Sequence, residues 1–152
     1  PDIVNQVADT LKRHDVAADR LELEITETAL LDDSHNALDK LHQLKALGVR
    51  ITLDDFGTGY SSLVYLRCFP FDKIKIDRSF VSEMAQEPTA RTIVGAIIQM
   101  ASALNMAVVA EGVEEQQPLE LLQQLGCTIA QGYHICRPLA PEAAAAYLEQ
   151  YN

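Results

Sequence analysis

The chain of 152 residues carries 12 basic and 22 acidic side chains, so its formal net charge is −10. This charge argues against broad electrostatic binding of DNA or RNA. Hydrophobic residues make up 48% of the chain, enough for one folded domain with a real core, and the apolar stretches are shorter than the roughly 18 residues that cross a bilayer. The composition predicts a cytoplasmic domain without a membrane segment.

The first third of the chain alternates between helical and extended patterns. Apolar residues recur at helical spacing over about 3 to 13, directly after Asp2, which is a suitable N-cap. Apolar and polar side chains alternate from Leu21 to Thr26, which predicts a strand. A second helical pattern ends at Gly48, and we expect a strand from Val49 to Asp54 to follow it.

The middle of the chain continues the alternation. We expect a loop over Asp55 to Gly59, because two glycines separated by one residue supply unusual backbone angles. A short helix is predicted over about 61 to 67. The pattern then predicts a third strand from Lys73 to Asp77 and a long helix over about 89 to 104.

The last third adds two strands, each followed by a helix. Strands are predicted from Met106 to Glu111 and from Cys127 to Gln131, with a helix between them that ends before Gly126. A final helix begins at Pro141. Strands alternating with helices indicate a parallel α/β architecture, either a barrel or a doubly wound sheet.

A polar residue stands at the end of each predicted strand, on the face opposite most of the apolar residues. The five residues are Glu24, Asp54, Lys75, Glu111 and Gln131. If the apolar face packs on outer helices, these side chains converge at the mouth of a barrel. Charged groups directed inward are costly unless they are paired or bound to metal.

Such a set suits hydrolysis with one or two hard cations. Carboxylate and amide oxygens match Mg2+ or Mn2+, whereas His and Cys residues lack zinc-like spacing. Asp54 and Asp55 could bind two neighbouring ions, with Lys75 orienting or deprotonating the attacking water. Taken singly, each residue also has a structural interpretation: the Asp pair as a turn or helix cap, Lys75 as a partner of Asp77, and Glu24 or Glu27 as exposed residues.

Five short motifs together resemble the EAL domain family, in order and approximate spacing. They are Glu24-Ile25-Thr26-Glu27, Asp54-Asp55-Phe56-Gly57-Thr58-Gly59, Lys75-Ile76-Asp77, Glu111-Gly112-Val113-Glu114 and Gln131-Gly132-Tyr133. The resemblance implies a (β/α)8 TIM-type barrel that hydrolyses cyclic di-GMP to pGpG in bacterial signalling, with two Mg2+ or Mn2+ ions. A protein kinase, suggested by Asp55-Phe56-Gly57 alone, lacks the other kinase motifs.

The resemblance also assigns roles to residues. It implies metal ligands at Glu24, Asp54, Asp55 and Glu111. It implies a water-positioning role for Lys75 and further catalytic positions at Glu111, Glu114 and Gln131. Glu27 resembles the glutamate that stabilises the loop from Asp55 to Ser62, a loop linked in the family to homodimer formation.

The Glu-Ala-Leu signature that names the family is not found in residues 1 to 152. We therefore expect a partial EAL domain with about five of the barrel's strands, inactive by itself, in a parent protein with an upstream sensor or diguanylate-cyclase domain. An active phosphodiesterase is favoured because its acidic and lysine motifs are unsubstituted. The alternative is a degenerate domain that acts as a non-catalytic cyclic di-GMP receptor.

Overall fold

The computed structural model describes residues 2–31, 34–57, 66 and 68–150. The helices within these residues are α1 (Ile3–His14), α2 (Glu27–Leu31), α3 (Ser34–Ala46), α4 (Arg78–Glu83), α5 (Pro88–Ala103), α6 (Gln116–Gln124) and α7 (Pro141–Glu149), with a 3-10 turn at Ala18–Arg20. The strands are β1 (Glu22–Thr26), β2 (Arg50–Phe56), β3 (Lys73–Ile76), β4 (Ala107–Ala110) and β5 (Ile129–Ala130).

The strands form one parallel sheet in the order β1-β2-β3-β4-β5. Parallel neighbours require a crossover between consecutive strands, and helices lie in the intervening segments. The sequential order is that of a (β/α)8 barrel, in which each strand pairs with the next one along the chain. The predicted fold class, an α/β chain of TIM-barrel type with five parallel strands, is confirmed.

The two faces of the sheet differ in chemistry, as the alternating pattern predicts. Ile51 and Leu53 of β2, like Ile74 and Ile76 of β3, are 0 to 2% exposed and belong to the hydrophobic core that the helices cover. The intervening residues carry charged or polar side chains on the opposite face. Period-2 alternation therefore separates a helix-packed face from a polar inner face.

Two predicted boundaries are visible as capping structures. The Asp2 side chain accepts a hydrogen bond from the Val4 backbone N–H at 3.1 Å and so begins α1. Gly48 follows α3 with φ +95°, a left-handed conformation that glycine adopts without a Cβ clash. The polypeptide can therefore turn directly from α3 into β2.

Three expectations about local structure need correction. Asp55 and Phe56 were expected in a loop but lie in β2, which pairs with β3 as far as Phe56. The short helices α2 and α4 were not predicted, because five or six residues give too little periodicity to recognise. The strand expected over Cys127 to Gln131 is reduced to Ile129–Ala130, although Gln131 N still donates to Ala110 O.

The helix expected over 61 to 67 lies almost entirely outside the described residues. Within the part of the chain that the structure describes, none of the helices has the length and apolar character needed to span a membrane.

Candidate active site

A β-bulge at the end of β2 brings two adjacent carboxylates together. Neighbouring residues of a regular strand point to opposite faces, so Asp54 and Asp55 would normally diverge. Here the register between β2 and β3 shifts between Leu53 and Phe56, and Asp55 has φ +54°. The Asp55 backbone N–H also donates to Asp54 Oδ1 at 3.0 Å. The bulge therefore gives both carboxylates access to the same end of the sheet.

Gly57 and Phe80 pack closely beside this bulge. Gly57 has φ +100°, and a Cβ atom placed there would lie 2.7 Å from Cε2 of Phe80 on α4. Only a residue without a side chain fits so close to the ring. The backbone that follows Asp55 thus packs directly on α4.

Three carboxylates from two strand ends form a compact group. One carboxylate oxygen from each of Asp54, Asp55 and Glu111 lies within 4.8 Å of the other two, and all three residues are partly buried. Glu111 directly follows β4, and its backbone N–H donates to Ile76 O at 3.1 Å. Sheet pairing thus holds Glu111 beside the end of β3, opposite the β2 bulge.

Lys75 on β3 stands between carboxylates on β1, on β2 and directly after β4. Its Nζ lies 3.1 Å from Glu24 Oε2, 3.0 Å from Asp54 Oδ1 and 2.8 Å from Glu111 Oε1. The Lys75 side chain is 9% exposed, and those of Asp54 and Glu111 are each 19% exposed. The alternative in which Lys75 simply pairs with Asp77 is wrong, because Asp77 instead accepts from Ser79 N as the N-cap of α4.

The carboxylates also govern the protonation of Lys75. Burial by itself lowers the pKa of the ammonium, but hydrogen bonds to Glu111, Asp54 and Glu24 outweigh burial and raise the pKa above its usual value. Lys75 is therefore an ammonium at neutral pH in this arrangement. It can donate hydrogen bonds and screen negative charge, but it is poorly suited to accept a proton from water.

The charge and donor set of the cluster fit a hard divalent cation. Among the described residues, Glu24, Asp54 and Glu111 contact the Lys75 ammonium and Asp55 lies beside two of them, so carboxylates outnumber the ammonium here. All the donors are oxygens, the ligand type that Mg2+ and Mn2+ prefer. Glu24 reaches this cluster through Lys75 rather than through the compact carboxylate group, and its assignment as a ligand stays a prediction.

Gln131 lies between two cavities that adjoin the cluster. A cavity of about 410 Å3 is lined by Glu24, Lys75 and Gln131, among other residues. A second, of about 290 Å3, is lined by Asp55, Glu111, Glu114 and Gln131, together with Arg78 and Tyr133. The predicted site residues other than Glu27 and Asp54 therefore line at least one of these two cavities.

Glu27 lines neither of these cavities and, unlike Asp54, does not belong to the compact carboxylate group. It begins α2 directly after β1 and is 5% exposed, so the interpretation as an exposed residue is wrong. Most of the loop from Asp55 to Ser62 that it was expected to stabilise, residues 58–62, lies outside the described part of the chain.

Two further residues at the second cavity were not predicted from the sequence. Arg78 follows Asp77 at the start of α4, and its Nη2 lies 3.9 Å from Glu114 Oε1. Tyr133 is 53% exposed, and the Arg137 guanidinium carbon lies 4.5 Å from the centre of its ring. The position of Arg78 immediately beyond a strand end was the signal available in the sequence.

Comparison with known proteins identifies the family. The EAL domain model matches residues 1–138. The chain belongs to the EAL domain family. The family resemblance seen in the sequence motifs is therefore confirmed over most of the chain.

One relative of this EAL domain is named for its activities and also has a solved structure. The bifunctional diguanylate cyclase/cyclic di-GMP phosphodiesterase MucR of Pseudomonas aeruginosa is 43% identical over 144 residues, which are 95% of this chain and 21% of MucR. The c-di-GMP complex of the MucR phosphodiesterase has a TM-score of 0.88, with 43% identity, over 93% of this chain and 57% of that one. The chain spans about a fifth of the length of the curated relatives it matches.

A manganese-containing structure also matches the EAL domain described here. The manganese/cy-diGMP complex of Klebsiella pneumoniae BlrP1 at pH 9.0 has a TM-score of 0.83 and 34% identity. The match covers 88% of this chain and 34% of BlrP1.

Proposed function

We propose that this EAL domain supplies the catalytic centre for the metal-dependent hydrolysis of cyclic di-GMP to pGpG. The observation that carries the proposal is the position of Lys75, whose ammonium contacts carboxylates on β1, on β2 and directly after β4, beside the Asp54–Asp55 bulge. The relatives named for this activity and the c-di-GMP complex of one of them support the choice of substrate.

Asp54, Asp55 and Glu111 would hold the metal, with Glu24 as a further ligand. When bound, Mg2+ or Mn2+ supplies positive charge at the phosphodiester and lowers the pKa of the attacking water. Carboxylate oxygens within 4.8 Å of one another are close enough to bind one ion together. The bulge at Asp55 gives the cluster its third carboxylate and so the capacity for a second ion.

The remaining residues bind and orient the substrate. The Lys75 ammonium donates hydrogen bonds toward the phosphoryl group and water and screens the charge that develops there. The Gln131 side-chain amide and the Glu114 carboxylate line the cavities on either side and offer polar contacts to a nucleotide. We also propose a homodimer through the loop after Asp55 and an upstream sensor or cyclase domain.

Metal removal tests the proposed function directly. We expect the full-length protein to hydrolyse cyclic di-GMP with Mn2+ or Mg2+ and to lose turnover when both are chelated, since excess carboxylate charge would then repel the phosphodiester. Product formation by chromatography measures the effect, and re-addition of Mn2+ is the control. Turnover that survives exhaustive chelation would contradict a metal enzyme, whereas tight binding without turnover in Mn2+ would favour the receptor.

Glu27 is proposed to stabilise the loop that begins at Asp55. It is buried at the start of α2, and this helix packs on both β1 and β2, the strand that carries Asp55. We expect Glu27→Ala to retain the fold but lower Mn2+ affinity and turnover by roughly tenfold or more, as for other residues that orient ligands. Calorimetry and initial rates measure this loss, and Thr28→Ala, an exposed change in the same helix, is the control. Equal affinity and rate in the two variants would contradict the assignment.

A further inference from the structure

A second polar cluster lies on the inner face of the sheet, below the Lys75 contacts. Thr52 Oγ1 donates to Glu22 Oε1 at 2.6 Å, and Lys73 Nζ lies 2.7 Å from each carboxylate oxygen of Glu22. Thr52 is fully buried, while the Lys73 and Glu22 side chains are 22% and 24% exposed. We refer to Glu22, Thr52 and Lys73 as the Glu22 layer.

The Glu22 layer repeats the glutamate–lysine pair of β1 and β3 one step lower. Residues two apart on a strand share a face, so Glu22 lies below Glu24 on β1 and Lys73 lies below Lys75 on β3. The same inner face thus holds two glutamates and two lysines. Lys73 can pair with either Glu22 or Glu24, and only its pairing with Glu22 leaves Glu24 to Lys75.

The sheet register brings Lys73 level with the upper glutamate. Glu24 is the Cα partner of Thr52, and Thr52 is in turn the Cα partner of Lys73. The ammonium of Lys73 nevertheless turns down to Glu22. Glu24 has a side chain that is 51% exposed and therefore has room to change its partner.

We propose that the Glu22 layer is a positioning layer that keeps the Lys73 ammonium away from Glu24. The proposal rests on the proposed function, because its effect is to leave the upper carboxylates to Lys75 and to the metal. A second ammonium at Glu24 would neutralise the negative charge that attracts a divalent cation. Glu22 outcompetes Glu24 for Lys73 because it is less exposed and is itself held by Thr52.

Neutralising the two members of the pair should have opposite consequences for metal binding. In Glu22→Gln the hydrogen bond to Thr52 can persist, but Lys73 loses its carboxylate and turns to Glu24, so Mn2+ binding weakens. In Lys73→Met no ammonium is left to move, and Mn2+ binds at least as tightly as in the wild type. The double variant Glu22→Gln/Lys73→Met should regain the affinity lost in Glu22→Gln. If the layer has a merely structural role, both single variants should instead weaken Mn2+ binding alike.

The experiment is calorimetric titration of Mn2+ into the full-length protein and the three variants, with thermal unfolding measured alongside. We expect Kd to rise roughly tenfold in Glu22→Gln, the effect of one added charge near a partly exposed site, and to return to within about twofold in the double variant. Wild-type affinity in Glu22→Gln, or no recovery in the double variant, would overturn the layer's role. If Glu22→Gln does not fold, weakened binding in Lys73→Met or in the double variant overturns it. A wild-type protein that binds no Mn2+ contradicts the proposed function instead.

Discussion

Replacing Asp54 by asparagine is expected to remove nearly all metal-dependent turnover of cyclic di-GMP. Asp54 contacts Lys75 Nζ at 3.0 Å and belongs to the carboxylate group with Asp55 and Glu111. The substitution therefore removes a negative charge both from the proposed metal site and from the contact with Lys75. Asparagine keeps the shape of the side chain and its carbonyl oxygen, which limits structural damage. We expect Mn2+ affinity and kcat each to fall by roughly a hundredfold or more, beyond the loss typical of residues that only orient a ligand.

Initial rates across a Mn2+ titration measure this prediction. Asp9→Asn is the matched control, because it makes the same chemical change at an exposed position of α1 and should leave both quantities unchanged. An Asp54→Asn protein with the metal dependence of the wild type would show that the ligands lie elsewhere. Loss of turnover with unchanged Mn2+ affinity would show that Asp54 acts through its contact with Lys75 and is not a metal ligand.

The alternation of side chains along the strands made the inner face predictable. Glu24, Asp54, Lys75 and Glu111 were expected to converge, and the contacts of Lys75 bring all four together. Alternation is a local property of extended backbone, so the sequence alone reveals which residues share a face. The order of strands was not predictable in this way, because alternating strands and helices fit both a barrel and a doubly wound sheet, and only the family resemblance implied the barrel.

The orientation of Asp55 could not be predicted in the same way. Simple alternation places Asp55 on the face opposite Asp54, and only the bulge with its positive φ reverses this. Such a conformation is uncommon outside glycine, and its stability depends on surrounding structure such as the contact between Gly57 and Phe80. The adjacency of the two acids and the family resemblance, rather than the strand pattern, pointed to Asp55 as a ligand.

The Glu22 layer was missed for a related reason. Glu22 and Lys73 are visible in the sequence as inner-face residues, but they are 51 positions apart. Their pairing depends on the stagger between β1, β2 and β3, which a single sequence does not specify. The same uncertainty left Lys75 with Asp77, its near neighbour, as an alternative partner.

Lys75→Met is expected to separate metal binding from catalysis, unlike the Asp54 substitution. The change removes an ammonium that contacts Glu24, Asp54 and Glu111, so the carboxylates become more strongly negative and a divalent cation no longer competes with an internal charge. We therefore expect Mn2+ to bind at least as tightly as in the wild type. Turnover should nevertheless fall by about a hundredfold or more, because a hydrogen-bond donor aimed at the developing charge is lost.

Calorimetry with Mn2+ and single-turnover rates at saturating metal measure the two quantities separately. Without metal, the variant should also unfold at a lower temperature than the wild type, since three carboxylates lose their shared partner, and added Mn2+ should restore most of the loss. Lys45→Met is the matched control: Lys45 pairs with Asp72 away from the site, so its removal should alter stability without altering kcat. A Lys75→Met protein with wild-type turnover would show that its ammonium only balances charge in the folded chain. Weakened Mn2+ binding would show that Lys75 organises the carboxylates for the metal rather than competing with it.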